Sequence, residues 1–88
     1  MNENRKEKIN SIIDELLENF AEIRMEAIDK LSEIRDEEEE DLINLPEELQ
    51  GSEESNHMQN CINELEFFMS DLDSMDIDTI NLLNTLDD

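Results

Sequence analysis

His57 and Cys61 are the two residues whose types and spacing come nearest to catalytic chemistry. They lie four positions apart, which places both side chains on one face of a helix, and an imidazole beside a thiol can activate a cysteine nucleophile. Each is the only residue of its type in the chain. Cys61, however, belongs with Phe68 and Met75 to a row of apolar residues that are spaced seven positions apart. We therefore interpret it as a buried structural thiol and expect no enzymatic activity.

Carboxylates offer a second possible chemistry, the binding of a metal ion. Four aspartates are closely spaced near the C-terminus: Asp71, Asp73, Asp76 and Asp78. An EF-hand loop starting at Asp71 would need glycine at its sixth position and glutamate at its twelfth, where this chain has Asp76 and Leu82. A Glu-x-x-His pair, of the kind that builds di-iron bundle sites, occurs once, at Glu54 and His57. With a single glycine the chain also lacks a Gly-rich phosphate loop, so we expect no metal ligand and no cofactor.

The N-terminal half of the sequence predicts a long first helix, from about residue 6 to residue 44. Its apolar residues follow a heptad spacing of four and three, which is interrupted by a second step of four between Ala27 and Leu31. A connector of residues 45–52 follows. There Pro46 ends the first helix, Gly51 suits a left-handed backbone conformation, and Ser52 is a candidate N-cap for the next helix.

A second helix, from about residue 53 to residue 86, is predicted from three apolar rows. The central row is Met58, Leu65, Leu72, Thr79 and Leu86. One flanking row is Cys61, Phe68, Met75 and Leu82, and the other is Ile62, Met69, Asp76 and Leu83. Asp76 interrupts its row, either because water reaches it where the helices diverge or because it sets the helix register.

Three apolar positions per heptad suit a helix that touches two neighbours. The sequence therefore predicts an all-α fold, a long antiparallel helical hairpin of the coiled-coil type that forms one domain over residues 1–88. Two copies are expected to dimerise into a four-helix bundle. The core and dimer positions are expected to be Ile13, Leu16, Phe20, Ile23, Leu65, Phe68, Leu72 and Leu83.

Charge is distributed very unevenly along the chain. Residues 1–35 contain all six basic residues and nine acids, whereas residues 36–88 contain eighteen acids and no lysine or arginine. The dense run from Asp36 to Asp41 is open to three interpretations: a solvated helical face, a recognition surface, or a loose divalent-cation site. The acids that we expect to contact a partner are Asp36, Glu37, Glu38, Glu39, Glu40, Asp41, Glu64, Glu66, Asp71, Asp73 and Asp78.

The segment IRDEEEEDLINLPEELQGSE, residues 34–53, resembles a junction found in small acidic helical-hairpin proteins of Firmicutes phages and mobile elements. In those proteins a helix ending in Arg-Asp-Glu-Glu leads through Asn-Leu/Met-Pro-Glu-x-Leu-Gln into a second acidic helix. The family is generally uncharacterised, and the resemblance implies no catalytic residue. It does imply a phage-encoded protein directed at a component of its bacterial host.

An acidic surface repels nucleic acid and anionic membranes and attracts cationic grooves. We therefore expect a protein that binds and inhibits a host protein, such as a defence nuclease or a DNA-binding regulator, by mimicking nucleic acid. The alternative is a non-catalytic structural or adaptor coiled-coil dimer. The expected partners are a host protein with a cationic nucleic-acid-binding groove and a second copy of the chain. Nucleic acid, membrane and small-molecule substrates are not expected, and the expected location is the bacterial host cytoplasm.

Overall fold

The computed structural model describes residues 1–87, and Asp88, the last residue of the predicted domain, lies outside them. Three α-helices and one short 3₁₀ helix make up the ordered elements: α1 (Glu3–Ile43), the 3₁₀ turn (Glu47–Leu49), α2 (Glu53–Ser74) and α3 (Ile80–Asp87). No strand occurs among the described residues. The prediction of an all-α fold is thus confirmed.

The first helix begins at a side-chain cap. Asn2 Oδ1 accepts a hydrogen bond from the Arg5 amide at 2.9 Å, which satisfies one of the backbone donors that a helix start leaves unpaired. The helix then continues through the acidic run to Ile43. Its end agrees with the predicted boundary at residue 44, because Pro46 disfavours helical backbone in the residue before it.

The connector between α1 and α2 is held by local hydrogen bonds. Gln50 Nε2 donates to the carbonyl of Leu45 at 3.0 Å, and Gly51 has the predicted positive φ of 78°. Ser52 Oγ accepts from the Ser55 amide at 3.3 Å and donates to the Leu49 carbonyl at 2.6 Å. The predicted roles of Gly51 and Ser52 are both confirmed.

The prediction of one helix from about residue 53 to residue 86 is wrong. Helix α2 ends at Ser74, and Met75–Thr79 is not helical. Asp71 and Asp73 place negative charge in the last turn of α2, where the helix dipole disfavours it. The segment after it is rich in Asp, Thr and Ile, which have lower helix propensities than Leu or Glu. Asp78 Oδ1 then accepts a hydrogen bond from the Ile80 amide at 3.0 Å and so starts α3.

The chain divides into two compact units. One contains Met1–Ile23 together with residues 75–87, and the other is Arg24–Ser74. In the first unit the buried apolar residues are Ile13 and Leu86. The second unit places the C-terminal half of α1 and all of α2 on either side of the connector, an arrangement consistent with a helical hairpin.

The row of α2 that is buried in the Arg24–Ser74 unit is not the predicted central row, which contains Leu65 and Leu72. Ile62 is 1 % exposed and Met69 is 7 % exposed, and Ser55, seven residues before Ile62, is also buried. Leu65 and Leu72 are half-buried. The hairpin thus buries α2 mainly through the Ser55–Ile62–Met69 row.

Candidate interaction surface

The predicted acidic run forms the last part of α1. Asp36, Glu37, Glu39, Glu40 and Asp41 are exposed, and Glu38 is half-buried. Glu38 lies seven residues after Leu31, on the half-buried side of α1, so its carboxylate is the least available of the six for a partner. No basic residue stands in the last turn of the helix, where a cation would favour the dipole.

Arg35 stands directly before this run and organises its first residues. Its Nη2 lies 3.0 Å from Asp36 Oδ1 and donates to Ser32 Oγ at 3.1 Å, and its Nε also donates to Asp36 Oδ1 at 3.2 Å. The hydrogen bond to Asp36 raises the pKa of Arg35 above its ordinary value, and the charges of Asp36, Glu39 and Glu66 act in the same direction. The guanidinium therefore offsets part of the charge of three carboxylates.

Glu66 is a predicted partner-binding acid whose position relative to the acidic run could not be predicted from the sequence. It lies on α2, thirty-one positions after Arg35, yet its charge acts on the Arg35 guanidinium. The hairpin therefore places a carboxylate of α2 close to the acidic end of α1. Glu66 thus lies near the acidic run, whereas Glu64 and Asp71 lie roughly half a turn around the helix from Glu66, on a different side of α2.

Helix α2 carries two pairs of exposed acids with a seven-residue repeat. Glu64 and Asp71 form one pair, and Glu66 and Asp73 form the other. A seven-residue step is about 10 Å along a helix axis. The predicted extension of the first row to Asp78 is wrong because α2 ends before it. Asp78 lies outside α2 and is exposed, and its carboxylate binds the Ile80 amide at the start of α3.

Ion pairs leave most of the acidic surface uncompensated. Within residues 1–87 the salt bridges join Lys6 to Glu3 at 3.6 Å, Lys30 to Glu26 at 3.0 Å, and Arg35 to Asp36 at 3.0 Å. None of them involves an acid after Asp36. The predicted partner-binding acids other than Asp36 therefore have no salt-bridge partner in the described part of the chain.

The predicted core positions are divided between buried and exposed sites. Ile13 is buried, Phe20, Leu65, Leu72 and Leu83 are half-buried, and Leu16, Ile23 and Phe68 are exposed in the single chain. Three further residues are buried although they were not among the predicted core positions: Ile62, Met69 and Leu86. Their signal was present in the sequence as rows with heptad spacing. The sequence did not show which of these rows a single neighbouring helix would cover.

The possible catalytic pair lies on the first half of α2. Cys61 Sγ is 3.6 Å from His57 Nε2. The thiol is half-buried, which makes it more accessible than the buried thiol that we expected, and His57 is exposed. No third histidine, cysteine, aspartate or glutamate joins them to form a metal-binding group among the described residues.

None of the described helices combines the length and apolar character needed to span a membrane. Comparisons of the chain with protein-family models, curated proteins and solved structures give no match.

Proposed function

We propose that this protein binds a cationic groove that another protein uses to hold nucleic acid, and that it inhibits that protein by occupying the groove. The observation that supports the proposal is the set of exposed acids on the Arg24–Ser74 unit that have no salt-bridge partner within residues 1–87. They come from both helices of the unit: Glu37, Glu39, Glu40 and Asp41 on α1, and Glu64, Glu66, Asp71 and Asp73 on α2.

The spacing of these carboxylates suits a groove built for phosphates. Duplex DNA carries one phosphate per strand for each 3.4 Å of axis, whereas one acidic row of α2 repeats at about 10 Å. The dense run on α1 increases that density near Glu66, while Glu64 and Asp71 extend the acidic surface to another side of α2. Both helices have a fixed backbone, so the charges need little ordering when a partner binds.

The resemblance of residues 34–53 to phage and mobile-element proteins favours a bacterial host protein as the target. A defence nuclease or a DNA-binding regulator has a groove of the required charge. On this proposal the protein acts in the host cytoplasm, and it has no catalytic activity of its own.

The test is capture of host proteins from bacterial lysate on the immobilised full-length chain, followed by an affinity measurement for each captured protein in low and in high salt. We expect the affinity to fall steeply with salt, since charge attraction is screened. A variant with Glu37, Glu39, Glu40 and Asp41 changed to Gln or Asn should bind weakly. An affinity that did not change with salt would contradict charge mimicry.

The matched control removes the same number of charges outside the Arg24–Ser74 unit. Glu7, Asp14, Glu15 and Glu18 are exposed residues of α1, and their change to Gln or Asn alters the net charge equally. We expect this control to retain most of the affinity. Equal loss in both variants would mean that total charge matters and that the proposed surface does not.

Exposed apolar side chains favour a second candidate, a non-catalytic adaptor that works as a dimer. Phe68 is 54 % exposed and Ile34 is 52 % exposed in the single chain. A second hairpin that covered such residues would form the proposed four-helix bundle. For this candidate, polar substitution of Leu65 or Leu72 should abolish function, whereas neutralising the Glu37–Glu40 run should leave it intact.

A further inference from the structure

His57 and Cys61 bring together two side chains that bind soft divalent metals. Both belong to α2 and to the Arg24–Ser74 unit, and both are accessible, His57 being exposed and Cys61 half-buried. Thiolate sulfur and imidazole nitrogen are the ligands most often found at zinc sites in proteins. The role of this pair is not explained by the acidic surface.

The separation of the two ligand atoms matches one edge of a zinc tetrahedron. Zinc binds sulfur at about 2.3 Å and nitrogen at about 2.0–2.1 Å, so at a tetrahedral angle the two ligand atoms lie about 3.6 Å apart. Cys61 Sγ and His57 Nε2 are 3.6 Å apart. In the metal-free chain the same contact is a thiol–imidazole hydrogen bond, and a zinc ion would replace the proton between the two atoms.

One chain supplies only two of the four ligands that zinc takes in a structural site. No group of three metal-binding side chains exists among the described residues, so we look to a second molecule for the remaining two ligands. A second copy carries the same pair, and a two-fold axis near the two pairs would bring four ligands together. Phe68, seven residues after Cys61 on the same face of α2, is 54 % exposed and offers apolar contact beside such a site.

Charge favours the same arrangement. Two chains with a net charge of −21 each repel one another, and a divalent cation between them reduces that repulsion. The negative potential around the chain also raises the local concentration of cations. A bridging zinc ion therefore assists the association that the charge of the chain opposes.

We propose that His57 and Cys61 form half of a zinc site, which two copies of the chain complete as a tetrahedral centre with two cysteine and two histidine ligands. On binding, each Cys61 thiol loses its proton to solvent and a sulfur–zinc bond forms, so one zinc ion releases two protons in total. No atom changes oxidation state. This site is separate from the acidic surface, and its loss would leave the charge-based proposal intact.

The test is titration of the full-length, chemically reduced chain with Co²⁺ and then with Zn²⁺. We expect one metal per two chains, a thiolate-to-cobalt absorption band with the visible bands of tetrahedral cobalt, and loss of both when zinc displaces cobalt. Sedimentation of the zinc-loaded chain should give the mass of a dimer. His57→Ala and Cys61→Ser should each lower the affinity at least about a hundredfold, since even outer-shell changes at metal sites lower it by 10–100-fold.

Asn60→Ala is the matched control, since it changes an exposed residue of α2 next to Cys61 but neither ligand. It should keep the stoichiometry and the thiolate band. Circular dichroism of all three variants checks that the helices are intact. One metal per chain without dimer formation, binding that both ligand variants retain, or cobalt binding without a thiolate band would each overturn the proposal.

Discussion

The side-chain amide of Gln50 donates to the main-chain carbonyl of Leu45 at 3.0 Å, so this bond joins the two ends of the turn that follows α1. A second, longer contact joins the same nitrogen to the Leu42 carbonyl at 3.5 Å. The last carbonyls of a helix have no partner within the helix. In α1 the Leu42 carbonyl accepts from the Leu45 amide at 3.3 Å and has the longer contact with Gln50, and no basic side chain stands in that last turn.

Gln50→Ala should destabilise the Arg24–Ser74 unit by about 1 kcal/mol, the usual net contribution of such a hydrogen bond. Chemical denaturation measures the change. Gln59→Ala is the control, because Gln59 bonds only to Asn63 on the exposed face of α2, at 3.1 Å, and such pairs contribute about 0.2–0.5 kcal/mol. Equal effects of the two substitutions would show that the bond from Gln50 to Leu45 does not stabilise the connector.

Gly51→Ala should destabilise the connector by about 1–2 kcal/mol, because a β-carbon disfavours left-handed backbone. The φ of Gly51 is 78°, and a β-carbon there would meet no atom within 4 Å. The loss should therefore come from the backbone and not from a clash. Gly51→Asn is the informative comparison in thermal melts, since asparagine tolerates this conformation and should lose less. An asparagine variant as unstable as the alanine variant would contradict this explanation.

Asp78→Ala should reduce the helicity of residues 80–87, since it removes the acceptor for the Ile80 amide. Loss of such a capping side chain is worth about 1 kcal/mol. Backbone chemical shifts of α3 report the change directly. Asp78→Asn should preserve the helix because its side-chain oxygen can still accept, and Asp76→Ala, at an exposed position in the same segment, should have little effect. Unchanged shifts in Asp78→Ala would disprove the capping role.

Ile62→Ala should destabilise the fold by about 2–5 kcal/mol, the usual range for removing a large side chain from a core. Phe68→Ala should lower the stability of the isolated chain by less than about 1 kcal/mol, because its ring is 54 % exposed. Unfolding at several protein concentrations separates the two effects. If Phe68 lies in a dimer interface, its substitution should remove any concentration dependence of the melting temperature.

Added salt should raise the melting temperature, since a net charge of −21 destabilises the compact chain by self-repulsion. Arg35→Gln should make that dependence steeper, because it removes the cation beside Asp36, Glu39 and Glu66. Lys30→Gln is the control, since its pair with Glu26 is mostly exposed and such pairs contribute little. A melting temperature that stayed constant with salt would mean that the acids are too far apart to interact.

The contribution of Arg35 to the stability of the fold depends on pH, and the direction of its pKa shift sets that dependence. A raised pKa means that the folded chain holds the proton more tightly than the unfolded chain. The stabilisation is therefore fully present below the ordinary pKa of an arginine side chain and is lost only as the pH rises through the raised pKa of the folded chain. Between pH 5 and 9 Arg35 keeps its proton, so its contribution to stability should be constant across that range.

Much of the fold could be predicted from local patterns in the sequence. The heptad spacing predicts α1, and Pro46, Gly51 and Ser52 predict how the connector is built, because backbone preferences of this kind act over a few residues. The break after Ser74 was missed since Leu72, Thr79 and Leu86 keep the seven-residue spacing across it. The aspartates gave the opposing signal. Asp71 and Asp73 disfavour helix in the last turn of α2, and Asp78 caps the start of α3.

For the candidate interaction surface, the sequence predicted which residues belong to it but not how they are arranged in space. The acidic run and the pairs on α2 could be identified from the sequence, but the proximity of Glu66 to Arg35 depends on how two helices face each other. The burial of the row that contains Ile62 and Met69 likewise depends on how the two helices face each other. His57 and Cys61 were paired by their spacing, whereas the distance between Sγ and Nε2, on which the proposed zinc site rests, is a property of the side-chain conformations.

The short length of α3 sets the order in which parts of the chain open. Isolated helices of fewer than about 12–15 residues are marginal in water, and α3 has eight residues. Its helical state therefore depends on the burial of Leu86, which is 6 % exposed. Amide protons of α3 should exchange with solvent through local opening, well before those of α2 around Ile62, and the chain should lose its C-terminal helix while the hairpin of residues 24–74 remains folded.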